Sequence, residues 1–549
     1  MSLRVAPSAP IPAETVRIAQ AAFPKGTLCM QMRDTLGPLY EDGQFAALFS
    51  QTGQPAEAPA RLALVLVLQF AEGLSDRQAA DAVRGRIDWK YALALELTDA
   101  GFDASVLSEF RTRLLRGEAE HLLLEPLLRR LEECDLLKAR GTQRTDSTHI
   151  LAAIRTLNRL ELVGETMRYA LNRLAVAAPA WLRAHMQPAW GEHYSHRVEN
   201  YQLPKADADR QQLATTIGAD GFALLRAAYA PEAPSEVRDA PAVEVLRQIW
   251  LQQYYGGSHP PRWRQEPDVP PAAQLIHSPY DLDARYSLQH GSAWVGYKAH
   301  ATETCDDDTP HVITHVETTP ATTPDDNMLG PIHAALAEQA LLPREHLVDC
   351  GYTDAETLVK SAQDYGVHIV GPVAADPSWQ AREGTGFDTS QFLVDWDQQV
   401  VTCPMGKQSI SWHPHTSPQS GMRWEARFAR KDCTPCPHRA QCTRAKKEPR
   451  IVGLQAREQY EALQAARQYQ TTEAFKEHYA MRAGIESTLS QGVRGFDLRR
   501  SRYIGLAKTH LQHILIAVGI NLKRVMAWFS HPQPTKPYIS PFAALVSSG

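Results

Sequence analysis

At 549 residues the chain is too long for one ordinary core, and two to four domains are expected. Its 44% hydrophobic and 22% charged residues, with no low-complexity tract, are those of a globular protein. A net charge of −5 argues against nucleic-acid binding by the whole surface, although a local basic face is enough to track phosphates.

The opening MSLRVAPSAPIPAET has no apolar core of signal-peptide length. The longest apolar runs, Leu62 to Leu68 and Ile514 to Ile520, are far shorter than a membrane span. A cytoplasmic protein without a membrane partner is expected. From about Arg61 to about Leu137 the chain reads as successive helices. RLALVLVLQFAEGL is one, and Ser75 starts another, with Gln78 placed for a capping box. ASVLSEFRTRLL resumes the helical period and puts Arg111 and Arg113 on its polar side. Short helices with a late arginine-bearing one fit a helix-turn-helix DNA binder, and they equally fit any small helical domain.

From Gly141 the pattern changes. TQRTDSTHIL is β-compatible, and a long helical tract follows, including LNRLELVGETMRYALNRLA and VEVLRQIWLQQYY. It ends in a Pro-rich irregular stretch near Pro260 to Pro271. WVGYKAHATETC and HVITHVETTP restore strand character. Asp325 or Asp326 is placed to cap the helix MLGPIHAALAEQA, EHLVDCGY is the next strand, Asp354 caps AETLVKSAQDYG, and VHIVGPVA is a further strand. With the helical tract set aside, this order suits an RNase H-like sheet. Residues from about 376 to 470 are rich in Trp, Cys and basic groups, and the segment from about 472 to 529 is helical.

The expected fold class is therefore multidomain α+β. Residues 20–137 form a helical DNA-binding domain, and 138–375 the first part of an RNase H-like α/β core with a helical insertion at about 152–283. Residues 376–470 form a Cys-rich insertion, and 471–530 a helical part that completes the core. Near the C-terminus Arg494, Arg499, Arg500, Arg502 and Lys508 crowd around one acid, Asp497. The group fits a DNA-facing surface, and a solvated helix-and-loop face fits as well.

Phosphoryl transfer on DNA needs charge neutralised on both attacking and leaving oxygens. Two Mg²⁺ ions about 4 Å apart achieve this and require hard oxygen ligands. Acids from separate segments must then meet, two on strands and a third lowered from a helix. Asp146 lies in a β-compatible segment, Asp349 ends the apolar strand HLV, and Glu486 lies on the helical HYAMRAGIESTLS. Singly, each reads equally as a cap or surface acid.

Together these segments resemble a known family. Thr145-Asp146-Ser147-Thr148, Asp349-Cys350-Gly351-Tyr352 and Tyr479-x2-Arg482-x3-Glu486 are similar to the DDE transposases of bacterial insertion sequences. The last spacing resembles the Y-R-E-K signature, with Val493 in the lysine's place and Arg494 one step on. LNRLELVGE, WVGYKAHATETC and SRYIGLAKTHLQH extend the resemblance over nearly the whole chain. It implies that Asp146, Asp349 and Glu486 bind two Mg²⁺ (or Mn²⁺) ions. It also implies that Tyr479 and Arg482 hold a phosphate or orient Glu486, although Tyr479 could simply pack. The implied partners are double-stranded DNA, as transposon ends and target, and a second copy of the chain in a homodimer on DNA. A nuclease without strand transfer and an inactive DNA-binding relative are the alternatives.

Eight cysteines are unevenly placed: Cys29, Cys134, Cys305 and Cys350 are scattered, whereas Cys403, Cys433, Cys436 and Cys442 fall in one region. The four thiols suit a closed, structural Zn²⁺ site in a reducing compartment, and they resemble the zinc-ribbon-like insertion of related transposases. A redox C-x2-C lacks the strand-helix context it needs, and four unliganded cysteines are the other alternative. Cys350 is expected to be buried in the sheet. Trp412 and Trp424, near Lys446, Lys447 and Arg450, read as core aromatics on a solvated rim, with stacking on DNA the other reading.

Overall fold

Thr142–Leu151 (β1) carries β-branched Thr142, Thr145, Thr148 and Ile150, and both of its edges are paired. The computed structural model describes residues 1–7, 9–256, 260–289, 291–417, 421–530 and 545. Around β1 lie β2 (Arg285–Gln289), β3 (Ser292–Thr304), β4 (Ile313–Pro320), β5 (Glu345–Leu347) and β6 (His368–Val370). Strands β2 and β4 both pair with β3, and the order continues β3-β1-β5-β6. The β1–β3 pair is antiparallel and places Asp146 opposite Ala301 and Arg144 opposite Glu303. The β1–β5 and β5–β6 pairs are parallel, so the sheet is mixed and the architecture is a multidomain α/β one.

The expected strands at β1, β3, β4, β5 and β6 all form. Strand β2 was not anticipated, because RYSLQ sits at an edge, is mostly exposed and lacks an apolar face. The helix Pro59–Glu72 ends at Gly73 in the left-handed region, and Ser75 and Gln78 cap Asp76–Gly85 reciprocally. Asp354 caps Ala355–Tyr365 by accepting from the Thr357 amide at 2.6 Å. The expected cap at Asp325 or Asp326 does not form. These residues make a short 3₁₀ turn before Leu329–Glu338, and Asp325 turns instead to Lys298 and Ser147.

One continuous apolar core joins Pro59–Glu72, the β1–β3–β4 face and the long helix Leu506–Ser530. The helices Arg159–Ala177, Asp207–Ala228 and Pro241–Gln253 enclose a separate core around Trp250 and Tyr254. A third, small core of Phe392, Val401, Ala426, Phe428, Val452 and Leu454 supports the sheet formed by Ser409–Ser417, Gly421–Phe428 and Ile451–Leu454. The partly buried Trp396, Trp412 and Trp424 pack against that core, as core aromatics on a basic rim would. Among the described residues no helix is long and apolar enough to cross a membrane.

Arg111 does not lie on a polar face. It is buried, paired with Asp76 at 2.5 Å and set over the Tyr503 ring. The helix Ser105–Arg116 is therefore tied to the C-terminal part of the chain through the arginine expected to face outward. Arg113 lies over Phe49.

Candidate active site

Asp146 sits in mid-strand, where β-structure holds its carboxylate rigidly. One oxygen accepts from the Ser147 amide at 2.8 Å, and the other pairs with Arg482 at 2.7 Å. Its pKa is raised to about 6, chiefly by burial, with Arg482 and the Ser147 amide opposing the rise and the negative charges of Asp349 and Glu486 adding to it. Asp349 and Glu486 are therefore both within electrostatic reach of Asp146.

Asp349 lies two residues beyond β5, in the turn Asp349–Tyr352. The Gly351 amide donates to its carboxylate at 2.9 Å, and Tyr352 is fully buried with its hydroxyl 2.6 Å from His300 Nδ1. The buried tyrosine anchors the turn while Cys350 stays exposed, so the expectation of a sheet-buried Cys350 is corrected. Local geometry explains the difference: the strand ends at Leu347, and position 350 is already on the outer side of the turn.

Glu486 stands in the first turn of Gly484–Phe496, its side chain 67% exposed and 3.2 Å from Arg482. The expected single helix is interrupted. Glu473–Ala480 gives way to a 3₁₀ turn at Met481–Ala483 before the helix restarts. Arg482 thus lies between Asp146 and Glu486 and is bonded to both. Burial works against its charge, and Asp146, Tyr479, Asp349 and Glu486 more than offset that. Tyr479 stacks flat on Phe475, centroids 5.3 Å apart, which is the packing role left open for it.

Sequence reasoning missed Asp325 and Lys298, which pair at 2.8 Å beside the Asp349 turn, with Ser147 Oγ donating to Asp325 at 3.3 Å. The alternation of β3 carried a usable signal: Lys298, His300 and Thr302 share one face. The basic residues Arg494, Arg499, Arg500, Arg502 and Lys508 are all exposed. The segment Arg499–Ser501 runs alongside the end of β1, where Leu151 donates to the Arg499 carbonyl and accepts from Ser501. Arg499 also reaches Thr148, and Arg502 lies over Phe70. Arg499 and Arg500 therefore flank the end of the strand that carries Asp146.

The four clustered cysteines line one small cavity with Phe387, Phe392, Phe428 and Arg450. Cys403 Sγ accepts from the Lys407 amide at 3.4 Å across a turn closed by Gly406, whose positive φ only glycine adopts readily. Burial raises the Cys442 thiol to about 11. Arg450 opposes that, and the three neighbouring sulfurs add to it.

In donor chemistry the carboxylates suit a hard divalent cation, and the thiolates suit Zn²⁺. In position neither set is closed: among the described residues, no three His, Cys, Asp or Glu side chains come together as a metal site. At the acids, Arg482 supplies the neutralising charge.

Acids from three distant segments thus lie around Arg482, and exposed arginines flank the end of the strand that carries one of them. The family comparison adds what the geometry leaves open. The model described as "Transposase DDE domain" matches residues 402–526, and "Transposase domain (DUF772)" matches residues 17–113. These matches support a DDE transposase of the insertion-sequence type, with DNA as its partner. The first match includes the cysteine cluster and Glu486, and the second the N-terminal helices. No curated protein matches the chain.

Proposed function

We propose that the protein binds the terminal inverted repeats of its own element and catalyses metal-dependent cleavage and strand transfer. Asp146, Asp349 and Glu486 are the catalytic acids and would hold two Mg²⁺ (or Mn²⁺) ions. The observation that carries this reading is the convergence of the three acids on Arg482, which pairs with Asp146 and Glu486 and feels the charge of Asp349, with Glu486 inside the matched DDE region. When bound, the metal supplies positive charge to the attacking and leaving oxygens of the phosphodiester.

The chain's own residues orient the DNA. Arg482 exchanges its carboxylate partners for a phosphate, and Arg494, Arg499, Arg500, Arg502 and Lys508 track the backbone beside β1. Tyr479 supports Arg482 through its stack on Phe475. Residues 20–137 serve in end recognition, 138–375 and 471–530 form an RNase H-like core with its helical insertion at about 152–283, and 376–470 form a zinc-ribbon-like insertion. Cys403, Cys433, Cys436 and Cys442 hold a structural Zn²⁺ there. Pairing two ends calls for a homodimer on DNA.

The test is cleavage of DNA carrying the element's ends, with Mg²⁺, by wild type and Asp349→Ala. End-specific cutting and joining that the variant loses is the expected result. Cutting without end preference or joining would mean a nuclease, and no cutting would mean an inactive DNA-binding relative.

A further inference from the structure

Glu303 is fully buried on β3, opposite Arg144 of β1, which is itself 5% exposed. Arg144 donates to one Glu303 oxygen at 2.7 Å through Nε. The other oxygen accepts from Thr488 Oγ1 at 2.5 Å and from Arg524 at 2.8 Å. Arg524 also reaches Thr488 at 2.6 Å, Gln491 at 2.9 Å and the His311 carbonyl at 3.0 Å. Arg144 completes the cluster by donating to the Met481 carbonyl and lying 3.1 Å from His311 Nδ1. The Arg144 guanidinium and the Glu303 carboxylate are thus buried, and the partly buried Arg524 is bonded to them, where apolar side chains would cost less to desolvate.

The cluster spans β1, β3, Gly484–Phe496 and Leu506–Ser530. We infer that Arg144, Glu303 and Arg524 are positioning residues that fix the helix carrying Glu486 against the strand carrying Asp146. The inference rests on the reading of those acids as the active site. Three observations carry it. Arg144 is two residues from Asp146 on the same face of β1, so it extends from the acid's own strand to the carbonyl that precedes Arg482. Thr488 and Gln491 grip one flank of the helix, while Glu486 stands roughly 160° round the axis from Thr488. A helix rotated enough to lose the grip would therefore carry Glu486 away from Asp146. Finally, a Cβ at Gly484 would overlap the Arg144 guanidinium, so glycine permits the close approach two residues before the acid.

The experiment compares the full-length wild type with Glu303→Gln and, in case that variant fails to fold, Gly484→Ala. Alanine is the better helix former, so local propensity alone would make the second variant firmer. Amide hydrogen exchange is followed by peptide, and end cleavage is measured as kcat and KM. Exchange faster by roughly tenfold and confined to about residues 481–492 is expected. With it, kcat should fall roughly tenfold or more while KM for DNA stays unchanged. Unchanged exchange across that helix would overturn the inference, and so would loosening spread evenly through the β1–β3 core. The exchange arm stands without catalysis: localised loosening in a protein that cuts no DNA would keep the positioning role and remove the proposed function.

Discussion

The acid cluster and the cysteine cluster are both assembled from separated sequence, but they are held by different physics. Asp146 is fixed in mid-strand of a paired sheet, and its charge is met by Arg482. Behind it the sheet joins a core that runs through the N-terminal helices and Leu506–Ser530. The cysteines sit on turns and four-residue helices, backed by a core of six fully buried apolar residues. The acid site therefore has its scaffold before any ligand arrives. The cysteine segment has a smaller apolar core to offset its ordering entropy, and under the proposed zinc-ribbon reading a shared ion would add to it.

The largest effect expected from this contrast is catalytic. Asp146→Ala, Asp349→Ala and Glu486→Ala should each lower end cleavage by roughly a thousandfold or more, with DNA binding retained in a gel-shift assay. A variant that still cuts would remove its residue from the site. Next comes metal removal. Purified protein should carry about one zinc per chain, and chelation or Cys433→Ser should open residues 376–470 to limited proteolysis while the β1–β3 sheet stays protected. Protein without zinc, and with the same proteolytic pattern, would show that the small core suffices.

A smaller effect has the opposite sign. The Asp146 pKa is raised from the usual 3.8 to about 6, first by burial, so the folded state binds this proton more tightly than the unfolded chain. Stability is then lost as pH rises from about 4 to about 6 and is not regained above that. In metal-free buffer, Asp146→Asn should be more stable than wild type at pH 8, by about 3 kcal/mol, with no advantage below pH 4. Equal melting curves at pH 8 would mean that Arg482 already compensates fully. The smallest effect is a control beside the site. Asp354→Ala should cost about 1 kcal/mol of stability through its lost N-cap and leave cleavage intact. Lost cleavage would move Asp354 from cap to reaction.

Much of the fold was legible because its signals are local. β-Compatible composition marked β1, β3 and β4, and Ser75 and Asp354 announced their helices by caps that form as the spacing requires. The failures share a cause. Arg111 was read by helical period as solvent-facing, yet Asp76, far along the chain, draws it inward. Cys350 was placed in the sheet because it adjoins Asp349, although the turn that exposes it depends on Tyr352 reaching His300. At the candidate site, the acids were legible as residues in a recognisable spacing. Arg482 bridging two of them was not, because its partner Asp146 lies in another part of the chain.

The sequence by itself determined most of the helices and the strands β1 and β3 to β6, and which donors are hard oxygen and which sulfur. Backbone propensity and ligand chemistry belong to individual residues and short spacings. Only the tertiary structure decided which charges are buried. A lone Arg144, Glu303 or Arg524 reads as a surface residue until its partners close around it. Tertiary packing also decided that the N-terminal helices share their core with the sheet. Apolar surface has no address in sequence and is buried against whatever face the fold brings to it.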